Sequence, residues 1–352
     1  MKDIKINAID VDTLITLYEQ HNFLYSAKKE KLLPFLSLIK ENLKKAFTLP
    51  DFLYRILTSY NKGENQFSSI AAWRYSDSSI IIQHLVSNHP VKTREIFLFH
   101  ILKLAGMSSK EGIQAILTYY QPKTRFAHKM FTHLYDNQVN DGVLLEPFNY
   151  YQYQFDASGA PDNNLTVQLL QPQDHAAFQQ LILQERGPLY LNTLDLGPDN
   201  FTLHDLNERY QQAGLFRSRK VLVVKERNAQ TICGALIINT GSLGLHFSLI
   251  ENSSEIIINS LQDPAFSALV CAQLLHEVQY YYKDCPLEYL PLLVKLPQAE
   301  MIENLGAIFQ RQYNMMICDT SNFMNWITYL LQEYEKSLHY TVDTSNKLSI
   351  VS

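Results

Sequence analysis

Several features that usually place a chain in a functional class are scarce or missing in this sequence. Its cysteines form no CxxC pair, so the chain has no recognisable zinc-binding or thiol-redox motif. All four lie in the second half: Cys233, Cys271, Cys285 and Cys318. No window approaches the ~20 apolar residues of a membrane span, and the N-terminus lacks the apolar segment of a signal peptide. We therefore expect a cytoplasmic protein with no membrane span and with reduced, mostly buried thiols, a structural disulfide being the alternative.

Charge is also low. Only 18% of the residues are charged and 46% are hydrophobic, which is typical of globular rather than disordered proteins. The net charge of −5 and the pI near 6.1 argue against broad binding of nucleic acids or of anionic membranes. At 352 residues the chain is long enough for two domains of ordinary size.

Established catalytic motifs are missing as well. The chain has no GxSxG nucleophile elbow and no HExxH pair, and its 11 histidines show no metal-ligand spacing, so we expect no metal site. Cys271 lies in an apolar segment, where a thiolate is disfavoured. Glu64, Glu95 and Glu251 are candidate general bases for an amine, and the sequence offers no partner that selects among them.

What the sequence does contain is a short basic phrase written twice. Pro90-Val91-Lys92-Thr93-Arg94 and Pro122-Lys123-Thr124-Arg125 each follow a strand-like apolar run and each open a stretch with helical spacing. A strand followed by a threonine N-cap and a helix directs free backbone N–H groups at an anion. Lys and Arg beside both caps therefore favour an anion site. The alternative is that these cations are simply solvated at helix starts.

The first half is predicted to begin with helices and to continue with strands. Apolar residues recur at helical spacing from residue 10 to about 60, including a separate helix over 52–59 after Pro50. The segments expected after that are strands over 67–75, 80–86, 113–120 and 143–155 and helices over 93–104 and 124–135. Residues 156–164 (DASGAPDNN) are rich in turn formers and predict a linker.

The second half repeats the order of the first. The helices expected there are 174–185, with Asp174 as N-cap, 203–213, 266–282, 298–310 and 323–338. The expected strands are 165–170, 221–225, 232–238, 245–249, 255–259, 290–295 and 315–318. Two Gly-Pro pairs, at 187–188 and 197–198, are expected to bound a loop, and 228–230 to form a hairpin turn. The domains are therefore placed at 1–155 and 165–340, with a polar tail over 341–352.

This order of elements resembles the GNAT superfamily of N-acetyltransferases, as a tandem pair that is clearer in the second half. Val221–Asn228 followed by Ile232-Cys233-Gly234 is similar to the family's second and third strands, and Glu255–Pro264 to its fourth strand. Glu303–Ile308, which contains Leu305-Gly306, is similar to the family's "LGF" segment. The resemblance implies an α/β (α+β) fold of two tandem GNAT-like domains, each a mixed, mostly antiparallel sheet flanked by helices.

The cofactor motifs of that family are degenerate here. The family holds the pyrophosphate of acyl-CoA in a glycine-containing loop before its third helix, where backbone amides approach the phosphates closely. The corresponding stretch of the second half, 263–269 (DPAFSAL), has no glycine, Arg or Lys. The tyrosine that often acts as general acid in the family would fall near Ile302, so this proton donor is also missing. The loop of the first half also lacks glycine but keeps Lys92 and Arg94.

If the resemblance holds, the two basic phrases lie at the ends of neighbouring strands that splay apart around a cofactor. The predicted ligand- or phosphate-binding residues are Lys92, Thr93, Arg94, Lys123, Thr124 and Arg125, with Trp73 and Tyr119 as stacking or packing partners. For both aromatics, a place in the core is the alternative. No catalytic residue is predicted.

Two functions remain open at this point. One is a non-catalytic, degenerate GNAT-like binding or regulatory module, whose partner is a phosphorylated small molecule or another protein. The other is an acyltransferase that moves an acyl group from CoA or a carrier protein to an amine or hydroxyl. An open cleft between the two splayed strands would favour the enzyme.

Overall fold

A computed structural model describes residues 4–136, 142–155, 164–227, 231–282 and 285–348. The helices are α1 Val11–Gln20, α2 Ser26–Leu32, α3 Leu36–Ala46, α4 Pro90–Glu111, α5 Arg125–Asp136, α6 His175–Thr193, α7 His204–Gln211, α8 Pro264–Tyr282, α9 Ala299–Asn304 and α10 Phe323–Leu348. The strands are β1 Lys5–Ile6, β2 Tyr54–Asn61, β3 Gln66–Arg74, β4 Ser79–Ser87, β5 Ala115–Tyr120, β6 Val143–Gln154, β7 Leu165–Leu169, β8 Arg217–Glu226, β9 Ile232–Gly241, β10 Ser254–Ile258, β11 Tyr289–Lys295 and β12 Ile308–Asp319.

The predicted series occurs in both halves, which confirms the tandem α/β arrangement. Helices precede an antiparallel set of strands, and helix, strand, helix and strand follow, first up to β6 and then up to β12. All twelve strands join one sheet in the order β1-β2-β3-β4-β5-β12-β6-β11-β10-β9-β8-β7.

The centre of this sheet is built by an exchange of last strands. The final strand of the second half, β12, pairs with β5 of the first half, and the final strand of the first half, β6, pairs with β11 of the second. The two exchanged strands also pair with each other, antiparallel, from Ile308↔Gln152 to Cys318↔Val143. Because each half supplies a strand to the other, residues of the second half reach the first.

Strand alternation divides the core between the two faces of the sheet. Ile80, Ile82 and Ile116 point to the face covered by α4, α5 and α10. Ile81 and Leu117 point to the opposite face, which α1 and α3 cover in the first half. A path from one face to the other therefore has to pass between strands.

Two sequence predictions in the first half are wrong. Residues 52–59 were expected to be helical but belong largely to β2, which pairs with both β1 and β3. Residues Tyr54 to Ser59 of β2 are all buried, so the period-2 polar alternation that identifies a half-exposed strand is missing. The helix expected from Thr93 begins at Pro90 instead, since proline fits the first helical position.

Three further predictions fail in the second half. Gly187-Pro188 does not bound a loop but forms a kink inside α6, where Gly187 adopts φ 80°. Residues 245–249 form buried turns rather than a strand, with Leu249 at φ 61°. The helix expected over 298–310 ends at Asn304, because Gly306 at φ 89° turns the chain into β12.

The ends of the chain differ less sharply from the predictions. The helix expected to stop near residue 338 continues as α10 to Leu348, whereas 349–352 lie outside the described residues. The predicted turn over 228–230 and nearly all of the predicted linker, 156–163, also lie outside them. Within the described ranges, no helix combines the length and apolarity that crossing a membrane requires.

Candidate functional site

The parallel strands β4 and β5 part halfway along their length. They pair from Ser79↔Ala115 to Ile82↔Thr118, and beyond that point β4 pairs only with β3. A bulge opposite Ile70 turns β4 at this place, and His84 in the bulge has φ 52°. Bulges of this kind bend a strand and redirect its side chains, often beside functional sites. The gap between the strands is therefore built into the backbone.

A cavity of about 680 Å³ occupies this gap. On one face of the sheet it is lined by the first turns of α4 and α5. On the other face it is lined by the connection between α1 and α2, by residues of the β9–β10 connection and by β12. The cavity therefore crosses the sheet, and the second half contributes to its wall. A volume of this size is within the range of small-molecule sites.

Four of the eight predicted binding residues line this cavity: Thr93, Arg94, Thr124 and Tyr119. The other four, Lys92, Lys123, Arg125 and Trp73, are not among its lining residues. Lys123 and Arg125 are exposed beside the start of α5, and Thr124 directly precedes that helix.

The first basic phrase is arranged differently from the prediction. His89, not Thr93, caps α4: its Nδ1 accepts a hydrogen bond from the Lys92 amide at 3.3 Å. Thr93 lies within the first turn, where its hydroxyl donates to the His89 carbonyl at 2.8 Å. Pro90 has no N–H, so α4 offers an anion fewer amides than a threonine-capped helix would.

The two cations of this phrase also have partners. Lys92 pairs with Glu95 at 3.0 Å. Burial raises the pKa of the Glu95 carboxyl, but hydrogen bonding and the Lys92 charge outweigh burial, and the pKa is lower than usual. Arg94 donates to the Pro90 carbonyl at 3.0 Å and lines the cavity. Arg94 is thus the basic side chain of the phrase that faces the candidate site.

The predicted aromatic pair is split between two places. Trp73 is fully buried in the core, where the Arg217 guanidinium lies over the indole ring, 5.3 Å from the ring centre. Tyr119 lines the cavity from β5, next to the point where the strands part.

The face opposite α4 and α5 holds a buried lysine that the sequence analysis missed. Lys28 of α2 is only 7% exposed, and its ammonium nitrogen lies 3.9 Å from the centre of the Phe23 ring. Burial, and to a lesser extent the charge of Arg311, lowers the pKa of Lys28 to about 7. Near neutral pH a large fraction of this side chain is therefore a neutral amine.

Two buried histidines lie next to that lysine, their ring centroids 5.3 Å apart. His84 accepts at Nε2 from the Phe247 amide, and His246 accepts at Nδ1 from the Ser248 amide, each at 3.0 Å. Burial lowers the pKa of both rings well below the usual value. Each neutral ring thus has its lone pair engaged and its proton on the other nitrogen, as a hydrogen-bond donor.

The exchanged strand β12 completes this end of the cavity. Arg311 and Tyr313 line it. Burial lowers the pKa of Arg311, but the nearby phenols of Tyr313 and Tyr25 and a hydrogen bond outweigh burial, and the pKa is raised. Burial raises the pKa of Tyr313, which also hydrogen-bonds to Ser248. No local pattern in the sequence marks these residues, because they come together only through the strand exchange.

The corresponding place in the second half is occupied by ion pairs. β10 and β11 pair only at Ser254↔Leu292 and Glu255↔Leu293 before they part. There Arg186 of α6 contacts Glu255 at 2.8 Å, and Tyr190 donates to the same carboxylate at 2.6 Å. Lys295 of β11 pairs with Glu146 of β6 at 2.6 Å, and the Glu146 carboxylate is also 4.0 Å from the Arg186 guanidinium.

The helix that follows β10 is also closed to anions. Asp263 accepts hydrogen bonds from the amides of Ala265 and Phe266, at 2.8 and 3.3 Å, at the start of α8. Its carboxylate occupies the position that a phosphate would take at a helix N-terminus.

No protein-family model matches the sequence, and no curated protein matches it. Solved structures do align with it at low identity. A tandem GNAT protein from the clavulanic acid biosynthesis pathway aligns at 9% identity and a TM-score of 0.41, covering 90% of this chain and 98% of its own. A putative acetyltransferase from Pyrococcus horikoshii aligns at 9% identity and a TM-score of 0.46, covering 91% of this chain and 90% of its own.

A third aligned structure is a GCN5-related N-acetyltransferase from Sphaerobacter thermophilus. It aligns at 11% identity and a TM-score of 0.42, covering 80% of this chain and 85% of its own. All three aligned proteins are named as acetyltransferases or GNAT proteins, and the one from the clavulanic acid pathway is named as a tandem protein.

Proposed function

We propose that this protein is an acyltransferase with one reaction site, at the place where the first-half strands β4 and β5 part. The acyl donor is a pantetheine thioester, supplied by CoA or a carrier protein, and it enters between β4 and β5 from the side of α4 and α5. The acceptor is an amine or hydroxyl compound that binds at the opposite end of the same cavity. One observation carries the proposal: the first-half strands part around an open cavity that crosses the sheet.

The residues along this cavity fit such a reaction. Arg94 and the N-terminus of α5, preceded by Thr124, lie on the side where phosphates would bind. The N–H groups that remain on His84 and His246 are donors of the kind that stabilise charge developing on a thioester oxygen.

The transfer itself is a simple exchange at the carbonyl carbon. The acceptor nitrogen or oxygen attacks that carbon, the C–S bond breaks, and the thiolate leaves. The acceptor releases its proton to solvent, and the departing thiolate takes up a proton from solvent. The products are the acylated acceptor and the free thiol.

Binding without catalysis is the second candidate function. The start of α4 favours this function. Pro90 has no N–H, and the Lys92 amide already donates to the His89 ring, so few amides remain for a phosphate. The described lining of the cavity also contains no Asp or Glu to serve as the base. In this case the first half would hold a phosphorylated small molecule as a sensor.

Thermal shift and thiol release together separate the two functions. The purified protein is titrated with CoA, acetyl-CoA and nucleotides, and thiol formation from acetyl-CoA is followed with mixed amine acceptors. A ligand at 100 times its Kd adds about 2.7 kcal/mol to the free energy of unfolding, which raises Tm by a few degrees. A shift with CoA compounds together with acceptor-dependent thiol release is the expected result.

Two variants locate the site. Ala127 of α5 lines the cavity, so Ala127→Phe should fill the donor path and abolish the shift, and Arg94→Ala should weaken it. Lys110→Ala, at the exposed far end of α4, is the matched control and should leave the shift unchanged. Ligand shifts without thiol release would support the sensor, and no shift with any of these compounds would refute both functions.

A further inference from the structure

Positive charge accumulates at the end of the cavity that faces away from α4 and α5. Lys28, Lys31 and Arg311, which we call the cationic end, come from α2 and from the exchanged strand β12. A small second cavity, about 30 Å³, adjoins the main one and is lined by all three of these residues. Lys28 and Arg311 line both cavities. The cationic end is therefore a junction built jointly by the two halves.

These cations lack acidic partners in the part of the chain that the structure describes. Neither cavity has an Asp or Glu among its described lining residues, in a protein whose net charge is −5. Lys31 donates to the Gln310 amide oxygen, and Arg311 hydrogen-bonds to Tyr25 and Tyr313, all of them neutral groups. The positive charge of Arg311 acts on Lys28 by repulsion and lowers its pKa together with burial.

This arrangement is costly for a protein without a ligand. A buried ammonium needs a counter-charge or has to give up its proton, and burying an uncompensated charge is among the most expensive features a fold can contain. Other buried cations of this chain are compensated within the core: Arg186 contacts Glu255 at 2.8 Å, and Arg217 and Arg219 donate to backbone oxygens and to the Asn239 side chain. Lys28 and Arg311 instead line a cavity that has no acid in its described wall, so a counter-charge can reach them from outside the chain.

We infer that the cationic end binds the anionic group of the acceptor substrate, a carboxylate or a phosphate, between Lys28 and Arg311. Arginine presents a planar fork of donors that matches either group, and the hydroxyls of Tyr25, Tyr313 and Ser248 add neutral donors around it. The histidine donors lie nearer to the gap between the strands. An acceptor bound in this way carries an anion at one end and its reacting amine or hydroxyl towards β4 and β5.

This inference rests on the proposed function only in naming the bound compound as the acceptor. Binding of an anion at Lys28 and Arg311 can be measured without any acyl donor. The experiment therefore tests the anion site first and its role in acyl transfer second.

The first measurement uses inorganic phosphate, acetate and glutarate as probes, at constant ionic strength with chloride as the reference anion. Thermal shift and calorimetry on the full chain should show saturable binding of at least one probe. Lys28→Met and Arg311→Met should each weaken that binding by about tenfold or more, since each removes a charge-assisted contact. Lys29→Met is the matched control, because Lys29 is on the same helix, is only half-buried and pairs with Glu19 at 3.0 Å.

The pH dependence provides a second readout that misfolding would not reproduce. The groups facing Lys28 are Arg311 from β12, His84 from β4 and His246 from the β9–β10 connection, none of them acidic. Binding should weaken as the pH rises from 7 to 9, because the neutral amine has to take up a proton to hold the anion. Lys28→Arg keeps the charge at these pH values and should restore binding without this dependence.

The outcomes separate this inference from the proposed function. Loss of probe binding in Lys28→Met and Arg311→Met, but not in Arg94→Ala or Lys29→Met, supports the anion site even if no acyl transfer is found. Acyl transfer to neutral and anionic acceptors alike, with CoA shifts unchanged in Lys28→Met, would overturn the inference and leave the enzyme intact. Probe binding that survives both substitutions would also overturn it, as would no binding of any probe.

Discussion

The two halves of this protein use the same series of elements but treat the place where their parallel strands part in opposite ways. In the first half the strands part around an open cavity, and the buried Lys28 has no acid beside it. In the second half Arg186 and Glu255 meet at the parting, with Tyr190 and Lys295 around them. At this parting, the first half therefore leaves a buried amine without an acid, whereas the second half pairs its arginine with a carboxylate.

The helix starts show the same difference. Asp263 satisfies the first amides of α8 with a carboxylate, so that helix has no need of an anion. In the first half His89 caps α4 through a neutral ring, and Arg94 in the next turn faces the cavity. Groups that bind ligands are often costly for stability, and a duplicated fold can keep them in one copy while the other copy supports the structure.

The largest expected effect comes from breaking the second-half network. Arg186→Met removes the cation that holds Glu255 and leaves a buried carboxylate beside Tyr190. Removing one partner of a buried pair typically costs about 3–5 kcal/mol. We expect a loss of that order in the free energy of unfolding, measured by urea denaturation at pH 7.

The matched change in the first half should behave differently. Lys28→Met removes a buried cation that has no acid, so the free energy of unfolding should stay the same or rise at pH 7. A double variant, Arg186→Met with Glu255→Leu, should recover part of the loss, because it removes both buried charges. Equal destabilisation by Lys28→Met and Arg186→Met would contradict the contrast between the halves.

A second, smaller effect appears in the pH dependence of stability. Burial lowers the pKa of Lys28 to about 7 in the folded protein, against 10.5 for an ordinary lysine, so the unfolded chain binds more protons between these limits. Stability from this group therefore rises with pH above 7, by at most about 1.4 kcal/mol per pH unit. The advantage of Lys28→Met over the unchanged protein should shrink by roughly 2 kcal/mol between pH 7 and 9.

Glu251 in the second half gives the opposite slope. Burial raises the pKa of its carboxyl to about 8 from 4.5, so here the folded state binds more protons in that interval. Its contribution to stability is present below pH 4.5 and is lost as the pH rises through 8. Glu251→Gln should flatten this loss in denaturation curves taken between pH 5 and 8. A slope that is the same with and without the substitution would show that Glu251 does not titrate in this range.

Most of the fold could be predicted from the sequence because its patterns are local. The repeated series of helices and strands follows from apolar spacing and from the turn-forming residues between the apolar runs. The prediction failed where tertiary burial removes the pattern, as in β2, whose residues Tyr54 to Ser59 are all buried. It also failed at Gly187-Pro188, where a helix tolerates the pair as a kink.

The candidate site was only partly accessible to sequence reasoning. The basic phrases led to Thr93, Arg94 and Thr124, and the prediction of aromatic partners led to Tyr119, all of which line the cavity. Lys28 and Arg311 are separated by most of the chain, and nothing local marks either of them. They line the same cavity because β6 and β12 are exchanged at the centre of the sheet, which is a property of topology rather than of any short motif.

The smallest expected effect tests how tightly the second half is packed. A Cβ at Gly234 of β9 would lie 2.7 Å from Val270 Cγ1 of α8 and 2.8 Å from Ile258 Cδ1 of β10. Gly234→Ala should therefore cost about 1–2 kcal/mol in the free energy of unfolding, since overpacking forces α8 away from the sheet. Gly106→Ala in α4 is the control: its Cβ would meet nothing within 4 Å, and the helix should gain about 0.5–1 kcal/mol. If Gly234→Ala were neutral, α8 would be free to adjust, and the second half would be less rigid than its buried ion pairs indicate.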